Sequence, residues 1–255
     1  MNFGNNTPDP RDPMRAPQPM ENGANPFGSP SLPMPVAQLS TDERLDFIRK
    51  TYSLFMGGIL FALLVGWATL NIESVFVASM MLRQNIIVGL LLLFGLCIGA
   101  QAVSRVPVLN LAALFTFAGF MGFFLTPLLW MFESRFPGIV GQAGGLTVLA
   151  FGSLTAYAFI SKKDFSFLGG LLFVGLVMLI LGGLANMFFF KSSLASYAMA
   201  WVGLLLFSGY VLYDTSNIMR THDRNEYVSA ALGLFINFIN MFLSILRILA
   251  GSRSD

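Results

Sequence analysis

Ser196 to Asp214 read SYAMAWVGLLLFSGYVLYD, an apolar run that closes on a carboxylic acid. A helix needs about 20 such residues to cross the hydrocarbon of a bilayer. Asp214 therefore stands at membrane depth, where an ionisable side chain is costly and usually faces protein or water. No other acidic residue falls inside an apolar span of this chain, so the question of function centres on Asp214.

The rest of the composition agrees with a membrane body. The chain is 55% hydrophobic and only 11% charged, well under the roughly 25% charged residues of soluble domains. A net charge of +2 gives no argument for nucleic acid as a partner. The single cysteine, Cys97, excludes an internal disulfide and lies in an apolar run, where it reads as a packing residue. Residues 1–40 differ: they hold most of the twelve prolines, with Asn, Gly, Asp and Gln. Such a segment buries too little apolar surface to offset its ordering entropy and reads as a disordered cytoplasmic tail. It has no apolar stretch of the kind found in a signal peptide.

Residues 41–255 read as one all-α membrane domain of seven transmembrane helices. The spans are Ser53 to Ile72, Ile86 to Ser104, Val108 to Met131, Ile139 to Ile160, Phe167 to Phe190, Tyr197 to Ile218 and Tyr227 to Leu249. Helices are expected because hydrocarbon leaves no water to satisfy open backbone. The seventh span carries Ser229, Asn237, Asn240, Ser244 and Arg247. That is polar for a lipid-facing helix, so it is expected at the centre of the other six. The loops are short, and two glycine pairs at four-residue spacing, Gly95 with Gly99 and Gly141 with Gly145, are expected to mark helix contacts.

Basic residues fall unequally on the two sides. Arg11, Arg15, Arg44, Arg49, Lys50, Arg105, Lys162, Lys163, Arg220 and Arg224 lie on one; Arg83, Arg135, Lys191, Arg247 and Arg253 lie on the other. The positive-inside rule puts the N-terminus in the cytoplasm and, with seven spans, the C-terminus outside. A re-entrant seventh segment would return the C-terminus to the cytoplasm. The short loops suit a bacterial cytoplasmic (inner) membrane.

Enzymatic chemistry finds little support. One histidine, His222, and one distant cysteine do not make a metal cage or a nucleophile pair. No Gly-rich phosphate loop ending in Lys is present, and the seventh span has no lysine to hold retinal. No cofactor is expected. What remains is a polar trio at membrane depth, Asp214 on the sixth span with Asn237 and Asn240 on the seventh. The two asparagines share a helix face. By helical rise, Asn237 lies about 15 Å into its helix and Asp214 about 6 Å from the end of its own. The trio reads either as an ion or proton site, or as a helix-end acid beside asparagines that bond between helices.

Four stretches share a resemblance. Ser208 to Thr215 (SGYVLYDT), Ala230 to Arg247 (AALGLFINFINMFLSILR), Lys163 to Gly169 (KDFSFLG) and Phe47 to Tyr52 (FIRKTY) together resemble the Bax inhibitor-1 family, over about Glu43 to Arg247. The resemblance implies a seven-helix fold with the seventh helix in the middle, and a calcium leak gated by protons. It also implies a latch of two aspartates, one on each of the last two helices. Asp214 matches the first and Asn240 matches a family asparagine, but the second aspartate falls at Asn237. Two close carboxylates repel and titrate as a unit; an Asp–Asn pair does not. One carboxylate also offers calcium, which Asp214 would have to bind, less charge than its usual several hard oxygens. Weaker calcium binding and altered gating follow. Arg105, at the end of the second span, is a candidate ionic partner for Asp214 and otherwise an ordinary topology charge.

Two functions therefore compete. One is a pH-modulated cation leak with calcium as the permeant ion. The other is a non-transporting protein of the bilayer that modulates a membrane-anchored protease or another membrane partner, a role to which the resemblance links bacterial members. A solute transporter has less behind it, because no internal repeat is visible.

Overall fold

A computed structural model describes residues 35–104, 106 and 108–253. The tail over residues 1–34 and the candidate partner Arg105 lie outside the described residues. Eight helices follow one another: α1 (Thr41–Asn71), α2 (Glu73–Gln84), α3 (Ile86–Ala102), α4 (Leu109–Arg135), α5 (Ile139–Ser161), α6 (Gly169–Ala185), α7 (Ser193–Arg220) and α8 (Tyr227–Ser252). Six helices are long and apolar enough to cross a membrane, and α2 and α3, which meet at a 99° bend, bring the number of candidate crossings to as many as seven. This is a multi-pass, all-α membrane protein.

Local chemistry sets the helix ends. Ser40 and Glu43 form a reciprocal capping box that starts α1, satisfying two of the N–H groups a helix leaves unpaired. The helix thus begins well before the apolar run at Ser53. Asn186, buried in the turn after α6, donates to the Ser192 carbonyl at 3.1 Å and to the Ser196 hydroxyl at 2.8 Å. Its own carbonyl accepts from the Ser192 N–H at 3.0 Å, which fixes the hand-over from α6 to α7.

α8 is the axis of the bundle. It packs on α7, α1, α5 and α4, and its buried face carries Ala231, Leu232, Leu234, Phe235, Met241 and Leu246. Rings lock this face to its neighbours. Phe55 and Phe151 stack at 5.2 Å, and both meet Phe238 edge-on, at 5.7 and 5.5 Å. Aromatic pairs of this geometry add about 0.5–1.5 kcal/mol beyond their buried area. α6 is the opposite case: almost wholly apolar, it leans on α7 and turns most of its surface outward.

Three expectations change. First, the connection between the first two spans is not a short loop but the helix α2. It is twelve residues long and amphipathic, too short to register as a span by apolar length. Second, Gly95, Gly99, Gly141 and Gly145 do not mark contacts within the chain, for a Cβ at any of them would meet nothing within 4 Å. Spacing aligns glycines on one face but leaves open which face packs. The close approaches lie elsewhere: a Cβ at Gly122 would fall 2.2 Å from the Ala62 carbonyl, so this glycine is what lets α1 and α4 touch. Third, Pro35 to Ser40, grouped with the tail by composition, contribute a fully buried Val36 and a backbone bridge from Pro35 to Asp223.

Candidate functional site

α7 and α8 form an antiparallel hairpin whose connection spans residues 221–226. α7 runs two residues beyond the end expected from sequence, so Asp214 lies about 9 Å from that end rather than 6 Å. This narrows its mismatch in depth with Asn237. The Asn237 amide donates to the Asp214 carboxylate at 2.6 Å. Asn237 is buried and Asp214 half-buried. A charge-assisted bond of this kind is about twice as strong as a neutral one.

Gly233 makes the approach possible. It stands one turn before Asn237 on the same face of α8, and a Cβ there would come 3.1 Å from the Asp214 Oδ2. Around the pair, the Tyr52 hydroxyl lies 3.5 Å from the hydroxyl of Thr215, the residue after Asp214 on α7. No described cation pairs with Asp214.

Asn240 does not join the pair. Its amide donates back to the Ile236 carbonyl at 2.8 Å, and the Ser244 hydroxyl donates to the Asn240 carbonyl at 2.8 Å. Asn237, Asn240, Ser244 and Arg247 nevertheless share one feature. With Asp214 they all line a single cleft of about 1050 Å³. α8 is its floor; α3 contributes Leu93, Cys97 and Gln101, and α6 contributes Leu176 and Leu179. From Ser229 to Arg247 the cleft follows α8 for about 27 Å, close to the roughly 30 Å of a hydrocarbon core.

The Asp214 end of the cleft is crossed by contacts that sequence reasoning passed over. Ser229 donates to the Gln101 side chain at 2.9 Å, joining α8 to α3. His222 borders the cleft, and its carbonyl accepts from the Val36 N–H at 2.8 Å. Its ring stands 6.3 Å from that of Phe47 and its Nδ1 3.2 Å from Glu226. Arg224 pairs with Glu43 at 3.0 Å. The signal for His222 was its position, in the loop that joins the two polar helices.

Among the described residues no group of three or more His, Cys, Asp or Glu could hold a metal ion. Calcium takes six to eight oxygens in a resident site. Asp214 with one amide neighbour supplies fewer oxygens than that.

The family described as "Inhibitor of apoptosis-promoting Bax1" matches residues 44–255. The chain is 36% identical over 218 residues to Cj0236c of Campylobacter jejuni, covering 84% of this chain and 92% of that one. It is 35% identical over 219 residues to "Bax inhibitor 1" of Schizosaccharomyces pombe, with coverage of 84% and 80%. It is 31% identical over 209 residues to the "Modulator of FtsH protease YccA" of Escherichia coli, with coverage of 82% and 91%. These names describe an inhibitor and a modulator rather than enzymes.

Proposed function

This chain belongs to the Bax inhibitor-1 family of multi-pass membrane proteins, and from that premise we propose that it is a pH-modulated cation leak, with calcium as the permeant ion. The observation that carries this reading is the Asp214–Asn237 bond at the closed end of a cleft nearly as long as the membrane is thick. The cleft offers oxygens along its floor and a single acid where it narrows. A half-buried carboxylate that borders the cleft draws a cation towards it, and the Asn237 amide competes with the ion for that carboxylate. Release of the amide frees the carboxylate to meet the ion. A proton on Asp214 removes the charge altogether, which makes permeation depend on pH. The N-terminus faces the cytoplasm in this reading, by the bias of basic residues.

Liposome flux tests the reading. Wild-type protein should pass calcium well above empty vesicles. Asp214→Asn should slow the flux about tenfold, the size of one lost charge contact near 1.4 kcal/mol, and should flatten its pH dependence. Asn237→Asp restores the second acid implied by the resemblance and should steepen that dependence. Equal flux from wild type, Asp214→Asn and empty vesicles overturns the leak.

A second reading has one specific support: the Escherichia coli relative is named as a modulator of the FtsH protease. Here the bundle would bind a membrane-anchored protease of the inner membrane without conducting. Pull-down of such a protease by the full chain, compared with a chain lacking residues 1–34, tests it. Retention by neither removes its support.

A further inference from the structure

The far end of the cleft is built differently from the Asp214 end. Arg247 is exposed into it, and Lys191 and Ser193 border it. The Arg247 guanidinium has no hydrogen bond or ion pair with any described residue, nor does the Lys191 ammonium. The neighbour that acts on Arg247 electrostatically is another cation, Arg83 at the end of α2; it too has no acidic partner among the described residues. A guanidinium presents five donors in a fork that matches phosphate. Arg247 and Lys191 border the same end of the cleft, and the only acid in its lining, Asp214, stands at the other end, which leaves a place for an anion.

Between the two ends the cleft is apolar. α3 packs on α4 and α6 packs on α7, while α3 and α6 barely meet. The gap between them opens sideways, towards lipid. Leu93, Phe94 and Cys97 form one wall, and Leu176, Leu179 and Ile180 the other. The donors on the floor are already satisfied, since the Asn240 amide and Ser244 hydroxyl bond to carbonyls of α8 itself. Hydrocarbon laid over them breaks neither of these bonds, which lowers the usual penalty for burying polar groups.

We propose that this cleft is a binding site for an anionic phospholipid, with the phosphate held by Arg247 and Lys191 and one acyl chain lying between α3 and α6. The charge at the mouth selects the headgroup, and the lateral opening admits the chain from the membrane. A single-leaflet chain reaches about half the hydrocarbon thickness, roughly 15 Å. Measured along α8 from Arg247, that ends at the level of Asn237, so the chain fills the open half of the cleft and stops short of Asp214. Gly183 lies on the α6 wall, where a Cβ would meet open space within 4 Å; a large side chain there competes with the acyl chain. The inference does not rest on conduction and is tested by binding alone.

Native mass spectrometry of the full chain in detergent, with dioleoyl phosphatidylglycerol, dioleoyl phosphatidylcholine or inorganic phosphate, provides the test. Wild type should retain one phosphatidylglycerol in preference to phosphatidylcholine. Replacing both cations (Arg247→Gln with Lys191→Gln) should weaken phosphatidylglycerol about tenfold or more, at about 1 kcal/mol per basic group, and leave phosphatidylcholine unchanged. Arg247→Lys should retain part of the preference. Gly183→Trp should lower phosphatidylglycerol retention with the cations intact. Equal retention of the two lipids by wild type overturns the proposal and needs no variant. So does full phosphatidylglycerol binding by the double variant. Inorganic phosphate that competes as strongly as the lipid, or a Gly183→Trp protein that binds like wild type, shows a free-anion site and overturns it as well.

Discussion

The two ends of one cleft handle charge in opposite ways. At the Asp214 end three polar or charged groups that border the opening have found protein partners: Asp214 with Asn237, Ser229 with Gln101, His222 with Glu226. Close by, Glu43 pairs with Arg224. These bonds run between α7, α8, α3, α1 and the loop at 221–226, so they tie the walls of the cleft together at this end. At the other end, Arg247 and Lys191 meet nothing of opposite charge among the described residues, and Arg83 stands beside Arg247. A polar group satisfied by the protein stabilises the fold; one left facing a cavity is available to a ligand. Stability and recognition are thus divided along the length of α8.

That division can be broken by mutation, and the largest effect is expected where apolar packing backs the closed end. Phe47 is only 2% exposed and its ring faces His222. Phe47→Ala should cost about 3 kcal/mol, read as a lowered unfolding midpoint in detergent, and should loosen the loop at 221–226 that Val36 and His222 hold. A shift under about 1 kcal/mol would mean that the start of α1 does not clamp this end. Next comes the polar pair. Asp214→Ala leaves the buried Asn237 amide without its acceptor and should cost about 1–3 kcal/mol. Asp214→Asn keeps an oxygen in place and should cost less. If the two variants melt alike, the 2.6 Å bond contributes little to stability.

Much of this arrangement was legible in the sequence, for physical reasons. Seven apolar stretches announce spans because crossing hydrocarbon demands length and hydropathy together, and the polar residues of α8 announce a central helix because lipid would not tolerate them. Asp214 and Asn237 could be picked out by type. Their pairing could not, since it depends on Gly233 lacking a Cβ and on α7 continuing to Arg220. Asn240 looked equivalent to Asn237 until its amide turned back onto Ile236; a choice between a neighbouring helix and its own backbone leaves no trace in residue spacing. α2 stayed hidden because a twelve-residue amphipathic helix lacks the length signal of a span. Arg83, Lys191 and Arg247 were visible only as charges that set orientation. That Lys191 and Arg247 border one cleft whose only acid lies at its other end is a property of packing.

Smaller effects sharpen the comparison. Glu43 and Arg224 are both solvent-accessible, and exposed pairs of this kind contribute about 0–1 kcal/mol. Glu43→Gln should therefore move the unfolding midpoint much less than Phe47→Ala, and added salt should erase what difference there is. A loss comparable to that of Phe47→Ala would assign the clamp to charge rather than to apolar burial.

The smallest effect is expected at the open end, and there it carries the most information. Arg247 donates to no protein group among the described residues and stands near another cation. Replacing it with Met keeps an unbranched side chain of similar reach and removes a charge that the fold does not use. In lipid-free detergent, Arg247→Met should change stability by no more than about 0.5 kcal/mol, and relief of its repulsion with Arg83 favours the upper side of that range. With an anionic lipid present the order should reverse, because only the wild type gains stability from a ligand that binds the folded state. Melting both proteins with and without phosphatidylglycerol separates the cases. A large loss without lipid would show that Arg247 has a structural partner after all, and the contrast between the two ends of the cleft would fail. A small loss that grows with lipid places the role of Arg247 in recognition, opposite to that of Asp214 at the closed end.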